Sequence, residues 1–574
     1  MADRRPPRRG AVAVLAVVAA WALPPLAPVA AAAAVAAAAA VPAVAQELPV
    51  AGPLRFEADE GVVLVLGDGR RFVDTVELRP AAEGSLLVNE LGMEEYVAGI
   101  AEMPSRWHLE ALKAQAVAAR TYGWYSIERE AFDGYDVCAT VACQVFRGAD
   151  TVLDSDHGER WLEAVRDTAG EVLVDGDGAP ILARYFSTSG GRTYANEDVF
   201  PESGARPYLV AVDDPYDRAS PYHRWTARFS REDFDEILSH GDTLAAAVPV
   251  AAIERLGAPD DQAAQVRVTG EDGRQVDVSA RDLREFVSRI AASSFPNRYP
   301  GMRADGLRPL PATVPSSRFD VEVTDDEVVF HGLGWGHGVG LGQYGALGRA
   351  RDGATYDQIL AAYYNGLTPR TSDALPDRVR VGMEADVEVS VGGTGAFRIV
   401  AAGEEVVGRA LGTWSARRDG SAWVVTPPGG HDDDLEVAAT RLVTDLDLGD
   451  AVTVETDVNK PVLLRLEVQD ATGEVVLVRD LGAADPGEHA ATWRFDDGDG
   501  EPVGAGDYRV ALVAEDAGGA VDGTPVIVPV TDPPAAASGG AAGTDLVRLL
   551  ALAAAIALVL AVLLAVAATR GHRS

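Results

Sequence analysis

Glu102 stands where a carboxyl can be made to hold a proton near neutral pH. Residues 93–101 read as a short helix with Tyr96, Val97 and Ile100 on one face, and Pro104 ends it by disfavouring helical backbone at Met103. Ser105 reads as the N-cap of a second helix, which runs through Leu112, Ala116, Ala119 and Tyr122 at three- and four-residue steps. Glu102 therefore falls at a helix–helix corner beside Met103 and Trp107. Apolar neighbours disfavour the charged form, so the pKa should rise, which is what a general acid needs. The competing reading is a surface or capping glutamate without chemistry.

The elements that must position this corner belong to a chain of 574 residues and 60.2 kDa, long enough for two to four domains. The pattern predicts a β hairpin region over 46–83, with Gly67-Asp68-Gly69 between its alternating runs, and an α+β domain over 84–370. All-β modules are predicted over 371–445 and 446–531. The ends carry different signals. Arg4, Arg5, Arg8 and Arg9, an apolar run from Ala11 and Ala43-Val44-Ala45 form a secretory signal over 1–45, the alternative being an uncleaved anchor. After a small-residue linker (532–548), Leu549 to Ala568 is a run of twenty apolar residues, about 30 Å as a helix, which predicts one transmembrane span. Arg570 and Arg573 place the tail 569–574 inside. The expected location is extracytoplasmic, tethered to the cell membrane.

The formal charge is −37, from 50 Lys and Arg against 87 Asp and Glu. Removing the signal takes away four Arg and one Asp, leaving about −40. Bulk binding to nucleic acid is excluded, because polyanions are repelled. A hydrophobic content of 47% argues against intrinsic disorder. No nucleophile elbow supports a Ser-His-Asp hydrolase, and the glycine-rich block 334–346 has neither a P-loop pattern nor a dinucleotide-binding setting.

The segment from Asn89 through Glu102, Met103-Pro104, Trp107 and Lys113-Ala-Gln-Ala-Val-Ala-Ala-Arg120-Thr-Tyr122 resembles the signature of the sporulation stage II protein D/amidase enhancer family. The similarity continues through Gln144-Val-Phe-Arg-Gly148, Ala164–Gly170, Ala183-Arg-Tyr-Phe-Ser187-Thr-Ser189-Gly-Gly-Arg-Thr193 and Pro207-Tyr-Leu209. It ends in Gly334-Trp-Gly-His337-Gly-Val-Gly-Leu-Gly-Gln343-Tyr344-Gly-Ala346 and Tyr356–Gly366, so that it covers about half the chain in family order. The resemblance implies action on peptidoglycan. Sporulation members are lytic transglycosylases that cut glycan stripped of its stem peptides, and amidase-enhancer members stimulate wall amidases. By carry-over Glu102 is the catalytic acid. It would protonate the oxygen between N-acetylmuramic acid and N-acetylglucosamine, then act as base while the sugar's own O6 closes a 1,6-anhydro ring. One carboxyl suffices for that reaction, unlike the pair in ordinary glycosidases.

Arg120, Ser187, Ser189, Gly190, His337, Gln343 and Tyr344 are the substrate-binding candidates. The glycines of 334–346 are expected to let backbone approach the glycan, with His337, Gln343 and Tyr344 offering hydrogen bonds or a stacking face. Alternatively His337 is a structural histidine in a tight turn. Phe186 stands where family members often have His, a departure at the wall of the expected cleft. Some sporulation members bind zinc near Cys138 and Cys143, but zinc needs further ligands and the closest downstream His is His157. In an exported protein a Cys138–Cys143 disulfide is favoured, and neither metal nor cofactor is called for. Near the C-terminus, Trp493-x-x-x-Asp497 followed by Gly506-Asp-Tyr508 resembles the Ig-like domain first named from the flagellar hook-capping protein, a spacer or binding module. Its acidic turn (Asp496, Asp497, Asp499) is read as solvated in preference to a Ca²⁺ site.

Three functions fit these motifs: a lytic transglycosylase, a non-catalytic enhancer of an N-acetylmuramoyl-L-alanine amidase, and a structural wall-binding anchor. The expected partners are glycan strands, an amidase and the membrane through the C-terminal helix.

Overall fold

The computed structural model of the protein describes residues 47–530, apart from 83, 155–156, 258–263, 297, 300–301, 304–312, 432, 439–440 and 444–450. The expected signal (1–45), linker, apolar span (549–568) and tail lie outside the described residues. Among the described residues no helix is long and apolar enough to cross a membrane.

Alternation of apolar and polar residues makes strands of 48–92 and 378–426, and the two stretches, separate in the sequence pattern, share their sheets. A seven-stranded sheet runs Glu404–Ala410, Phe397–Ala401, Leu54–Ala58, Thr75–Pro80, Ser85–Gly92, Arg378–Ala385 and Val137–Cys138. A six-stranded sheet runs Leu48–Ala51, Ala422–Thr426, Trp414–Asp419, Glu388–Gly393, Val63–Leu66 and Arg71–Val73. The expected hairpin at Gly67–Gly69 joins the last two of these strands. Thr75–Pro80 departs from it to pair with Leu54–Ala58 and Ser85–Gly92 in the other sheet. The alternation identifies which face of a strand is buried but not which strand lies beside it. One core unites these sheets with the helical part, where Leu54, Phe56, Trp414 and Trp423 join one cluster with Leu112 and Val117.

The helix Met93–Ala98 buries Met93, Tyr96 and Val97 and stops three residues before the expected end. A side chain at Gly99 would run into the Phe146 ring, and Ile100 instead forms a β-bridge to Phe146. The long helix Leu109–Arg129 starts later than expected. His108, not Ser105, caps it, with Nδ1 accepting from Glu110 N–H at 3.3 Å. Ala111, Ala114, Ala116, Ala118 and Ala119 are all fully buried, so small side chains let this helix be covered on nearly every side.

Residues 224–333 build a second core around Trp225, Phe229, Phe234 and Phe330, beneath Arg224–Ser230, Glu327–Leu333 and Phe319–Val323. The C-terminal strands form sheets of three and five strands, the architecture expected of an Ig-like module. Trp493, fully buried, donates from Nε1 to Asp496 O at 2.8 Å and meets the Tyr508 ring at 5.3 Å, which accounts for the Trp and Tyr of its signature. In its acidic turn Asp497 Oδ1 accepts from the N–H groups of Asp499 and Glu501 at 2.9 and 3.0 Å. The module is fastened to the sheets before it: Ala483 N–H donates to Thr394 O at 2.8 Å, and Arg409 pairs with Glu515 at 2.8 Å. Lys460, one of two lysines in the chain, pairs inside the module with Asp516 at 3.0 Å.

Candidate functional site

The corner at Glu102 is pinned from three directions. Ala101 N–H donates to Val145 O at 2.8 Å, and Val145 N–H donates back to Glu102 Oε1 at 2.7 Å. From the far end of the chain, Gln343 at the start of helix Gln343–Arg351 donates from Nε2 to Glu102 O at 3.3 Å. Burial pushes the Glu102 carboxyl above its usual range, opposed by the Val145 N–H and by the Tyr185 hydroxyl. No charged side chain is among these influences, so desolvation sets the direction.

Tyr185 was missing from the sequence-based candidates. Its hydroxyl bonds the Glu102 carboxyl and also reaches Gln144 Oε1 at 2.7 Å, and its single proton serves one acceptor at a time. Gln144 is fully buried and held by Tyr96 Oη and by Ala119 O, the latter at 3.2 Å. The signal for Tyr185 was strand alternation, which puts Tyr185 and Ser187 on one side of Tyr185–Phe186 and Phe186 on the other. Phe186 is buried and packs on His337 with ring centroids 5.5 Å apart. A phenylalanine at the place where family members often have His thus points away from the Glu102 face.

We expect Tyr185→Phe to remove a partner that favours the carboxylate, raising the Glu102 pKa further. For a general acid, the basic limb of kcat/KM against pH then moves to higher pH. A limb that stays fixed or moves down would show that this hydroxyl does not act on Glu102.

The other candidates divide into partly exposed residues beside Glu102 and residues bound into the scaffold. Tyr344 and half-buried Ser187 belong to the face beside Glu102, where Tyr344 N–H donates to Ser187 O at 3.0 Å. The Tyr344 ring meets Trp107 edge-on at 4.7 Å and Tyr222 at 5.6 Å, and Tyr222 meets Trp335 at 4.7 Å. These rings form a partly exposed aromatic wall, and flat apolar faces with polar edges suit sugar rings.

Arg120 is not part of that face. Its side chain has no exposure; Nε and Nη2 grip the Glu94 carboxylate at 2.9 and 2.5 Å, and Nη1 donates to Glu171 O at 3.1 Å. Ser189 and Gly190 are buried as well, and both donate to Asp217 Oδ2, at 3.0 and 2.6 Å, while His223 Nδ1 lies 2.9 Å from Oδ1. Gln343 is spent on Glu102 O and on Gln115 Oε1, the latter at 3.3 Å. His337 accepts from Val339 N–H at Nδ1 (3.1 Å), bonds the Tyr185 backbone and lies between Phe186 and Phe200. Burial, helped by Arg184, pushes its pKa down to about 3, so the ring is neutral. These five residues hold the site together from behind.

The glycine-rich block likewise serves the protein's own packing. A Cβ at Gly334 (φ +75) would lie 2.5 Å from Thr188 O, and one at Gly340 (φ +81) would strike Arg184 O. The glycines bring 334–342 against 184–190, where Leu341–Gly342 pairs in parallel with Tyr185–Phe186. At Gly345 a Cβ would strike the Tyr363 hydroxyl and the Asp214 carboxyl, which burial pushes up to about 6.

Cys138 and Cys143 form a disulfide with Cα atoms 5.5 Å apart, immediately before the Gln144–Val145 pair that serves Glu102. Two sulfurs bonded to each other do not fit zinc, and among the described residues no group of three or more His, Cys, Asp or Glu could hold a metal ion.

Comparison with known proteins matches residues 81–174 to the family "Stage II sporulation protein" and residues 440–518 to "FlgD Ig-like domain". A protein of Brachyspira hyodysenteriae is 31% identical over 319 residues, covering 54% of this chain and 75% of that one. The amidase enhancer of Bacillus subtilis is 32% identical over 297 residues, covering 46% of this chain but only 39% of its own length. Stage II sporulation protein D of Bacillus subtilis is 32% identical over 304 residues, covering 50% of this chain and 77% of the relative. With the Glu102 corner inside residues 81–174 and a 32% identical relative covered over 77% of its length, the chain belongs to the stage II sporulation protein D family.

Proposed function

We propose that this is an extracytoplasmic cell-wall protein that cleaves peptide-stripped peptidoglycan glycan as a lytic transglycosylase, with Glu102 as its acid and base. The observation that supports this reading is the buried position of Glu102: burial raises its pKa, and among the described residues no carboxylate is one of the influences on it. A hydrolase with a water or carboxylate nucleophile needs a partner carboxyl on the opposite face of the sugar. A reaction in which the sugar's O6 attacks its own anomeric carbon does not. Glu102 gives its proton to the glycosidic oxygen as that bond breaks, and the carboxylate then takes the O6 proton as the anhydro ring closes. Tyr344, Tyr222 and Trp335 offer the stacking face, with Trp107 buried behind Tyr344, and Ser187 offers a hydroxyl. The stretch 549–568 would tether the protein to the membrane, and the Ig-like module would act as a spacer.

The likeness to an amidase enhancer favours a second reading, a non-catalytic activator of a wall amidase. The two are separated by incubating the full-length protein with denuded glycan and, in parallel, with intact sacculi plus an amidase, and analysing products by mass spectrometry. The transglycosylase reading expects 1,6-anhydro ends from denuded glycan with no amidase present. Their absence, with faster amidase turnover, would install the enhancer instead.

A further inference from the structure

In a chain where acidic residues outnumber basic ones by 87 to 50, three arginines converge on one cavity of about 480 Å³. Arg129, Arg184 and Arg206 line it with Tyr122 and Tyr125, and Glu202 is the acidic residue in its wall. The hydrogen-bond and ring partners of these arginines are neutral, and Glu202 acts on Arg184 without forming an ion pair with it. Arg129 Nη1 donates to Tyr125 Oη at 2.8 Å. Arg184 Nε donates to Asn196 Oδ1 at 3.2 Å, and its guanidinium lies 3.8 Å from the centre of the Phe200 ring. Arg206 Nε is buried without an acceptor. Elsewhere the chain neutralises arginines with carboxylates, as at Arg55, Arg71, Arg120 and Arg378. Here, among the described residues, none of the three is in an ion pair.

Uncompensated guanidinium groups in a concave site focus positive potential there, and the planar fork of arginine matches a carboxylate. The cavity wall is next to the Glu102 network along the chain, while the Arg184 side chain lies on the Phe200 side of it. Arg184 directly precedes Tyr185, and Cys143, also in the cavity wall, directly precedes Gln144. Tyr185 and Gln144 are the residues of the Glu102 network.

We propose that this cavity binds a carboxylate of peptidoglycan and so selects and registers the substrate beside Glu102. The proposal rests on the reading of peptidoglycan as the substrate. Two groups supply this chemistry: the lactyl carboxylate of N-acetylmuramic acid, and the C-terminal carboxylate of a stem peptide. N-acetylglucosamine has neither. The faces of Tyr122 and Tyr125 would meet the methyl group that lactyl and alanyl units share.

The test is calorimetric titration of the full-length protein carrying Glu102→Gln, so that nothing is turned over. The probes are N-acetylmuramic acid, N-acetylglucosamine and D-alanyl-D-alanine. One carboxylate probe should bind about ten-fold or more tightly than N-acetylglucosamine, and added salt should shrink that preference. Arg206→Gln should remove most of the preference and Arg206→Lys retain part of it. Arg129→Gln, at an exposed position, should weaken the preference whether or not the Arg206 variants fold. Preference for N-acetylmuramic acid assigns the glycan as the source, and preference for the dipeptide assigns the stem. Equal binding of all three probes, or a preference that no arginine variant moves, overturns the proposal. Such a result alongside anhydro-product release by the wild-type chain removes the cavity's role alone. Arginine-dependent preference without any release removes the transglycosylase reading alone.

Discussion

Glu102→Gln should fold normally and lose release of 1,6-anhydro products from denuded glycan by about 10²–10⁴-fold, the range for removing a general acid. The amide keeps an oxygen to accept the Val145 N–H, so the corner stays closed. What it lacks is a proton that it can give to a leaving oxygen and take back from O6. Glu102→Asp should also lose much of the activity, because the shorter side chain withdraws the carboxyl by about 1 Å from its working position, a displacement that can cost about 10²-fold. The wild-type rate should fall as pH rises through the Glu102 pKa, because burial keeps the proton on only up to that point. Product analysis by mass spectrometry checks the first claim, and a denaturation curve matching the wild type checks the second. Release at the wild-type rate from Glu102→Gln would remove Glu102 from the chemistry.

Arg120→Met should act in the opposite way, lowering stability while sparing glycan affinity. The methionine fills much of the space but takes the guanidinium from Glu94, which keeps the Gly170 N–H, and removes a donor from the Glu171 carbonyl. Breaking such a pair costs about 3 kcal/mol, the low end of the range for buried ion pairs, because the Glu94 side chain remains 37% exposed. The denaturant midpoint should drop accordingly, while glycan binding per folded molecule stays at the wild-type value. An unchanged midpoint with weakened binding would return Arg120 to the substrate face.

The contrast between Glu102 and Arg120 marks how far the sequence could be read. The acid between two helices was legible in outline because both helical patterns are local, although the first helix ends at Ala98 rather than at Pro104 and the groups on the carboxyl, Val145 and Tyr185, come from other segments. The roles of Arg120, Ser189, Gly190 and Gln343 were not, because direction is decided by distant partners, whereas the turn contact of His337 with Val339 matches the structural alternative. Gln343 meets Glu102 O across 241 residues, and Ser189 meets Asp217 across 28. A family motif preserves the residue type and is silent on whether it faces the ligand or the scaffold. Tyr185 shows the converse, a quiet position in a quoted block that becomes central once its strand is paired. Secondary structure followed the same division. Alternation located strands within 46–83 and 371–445, but the strand Ser85–Gly92 and the shared sheets depend on pairings that no local pattern specifies.

Those shared sheets have a consequence for the order of events in folding. Leu54–Ala58 is synthesised early, yet one edge of it waits for Phe397–Ala401, and Leu48–Ala51 waits for Ala422–Thr426. Until then the early strands present open edges, and contacts so remote in sequence are slow to form. The Glu102 corner, though encoded within a short stretch, is latched only when Gln343 arrives. The most local signal in the chain thus matures late, and a fragment cut after residue 370 would carry the whole motif without the strands that close its sheets.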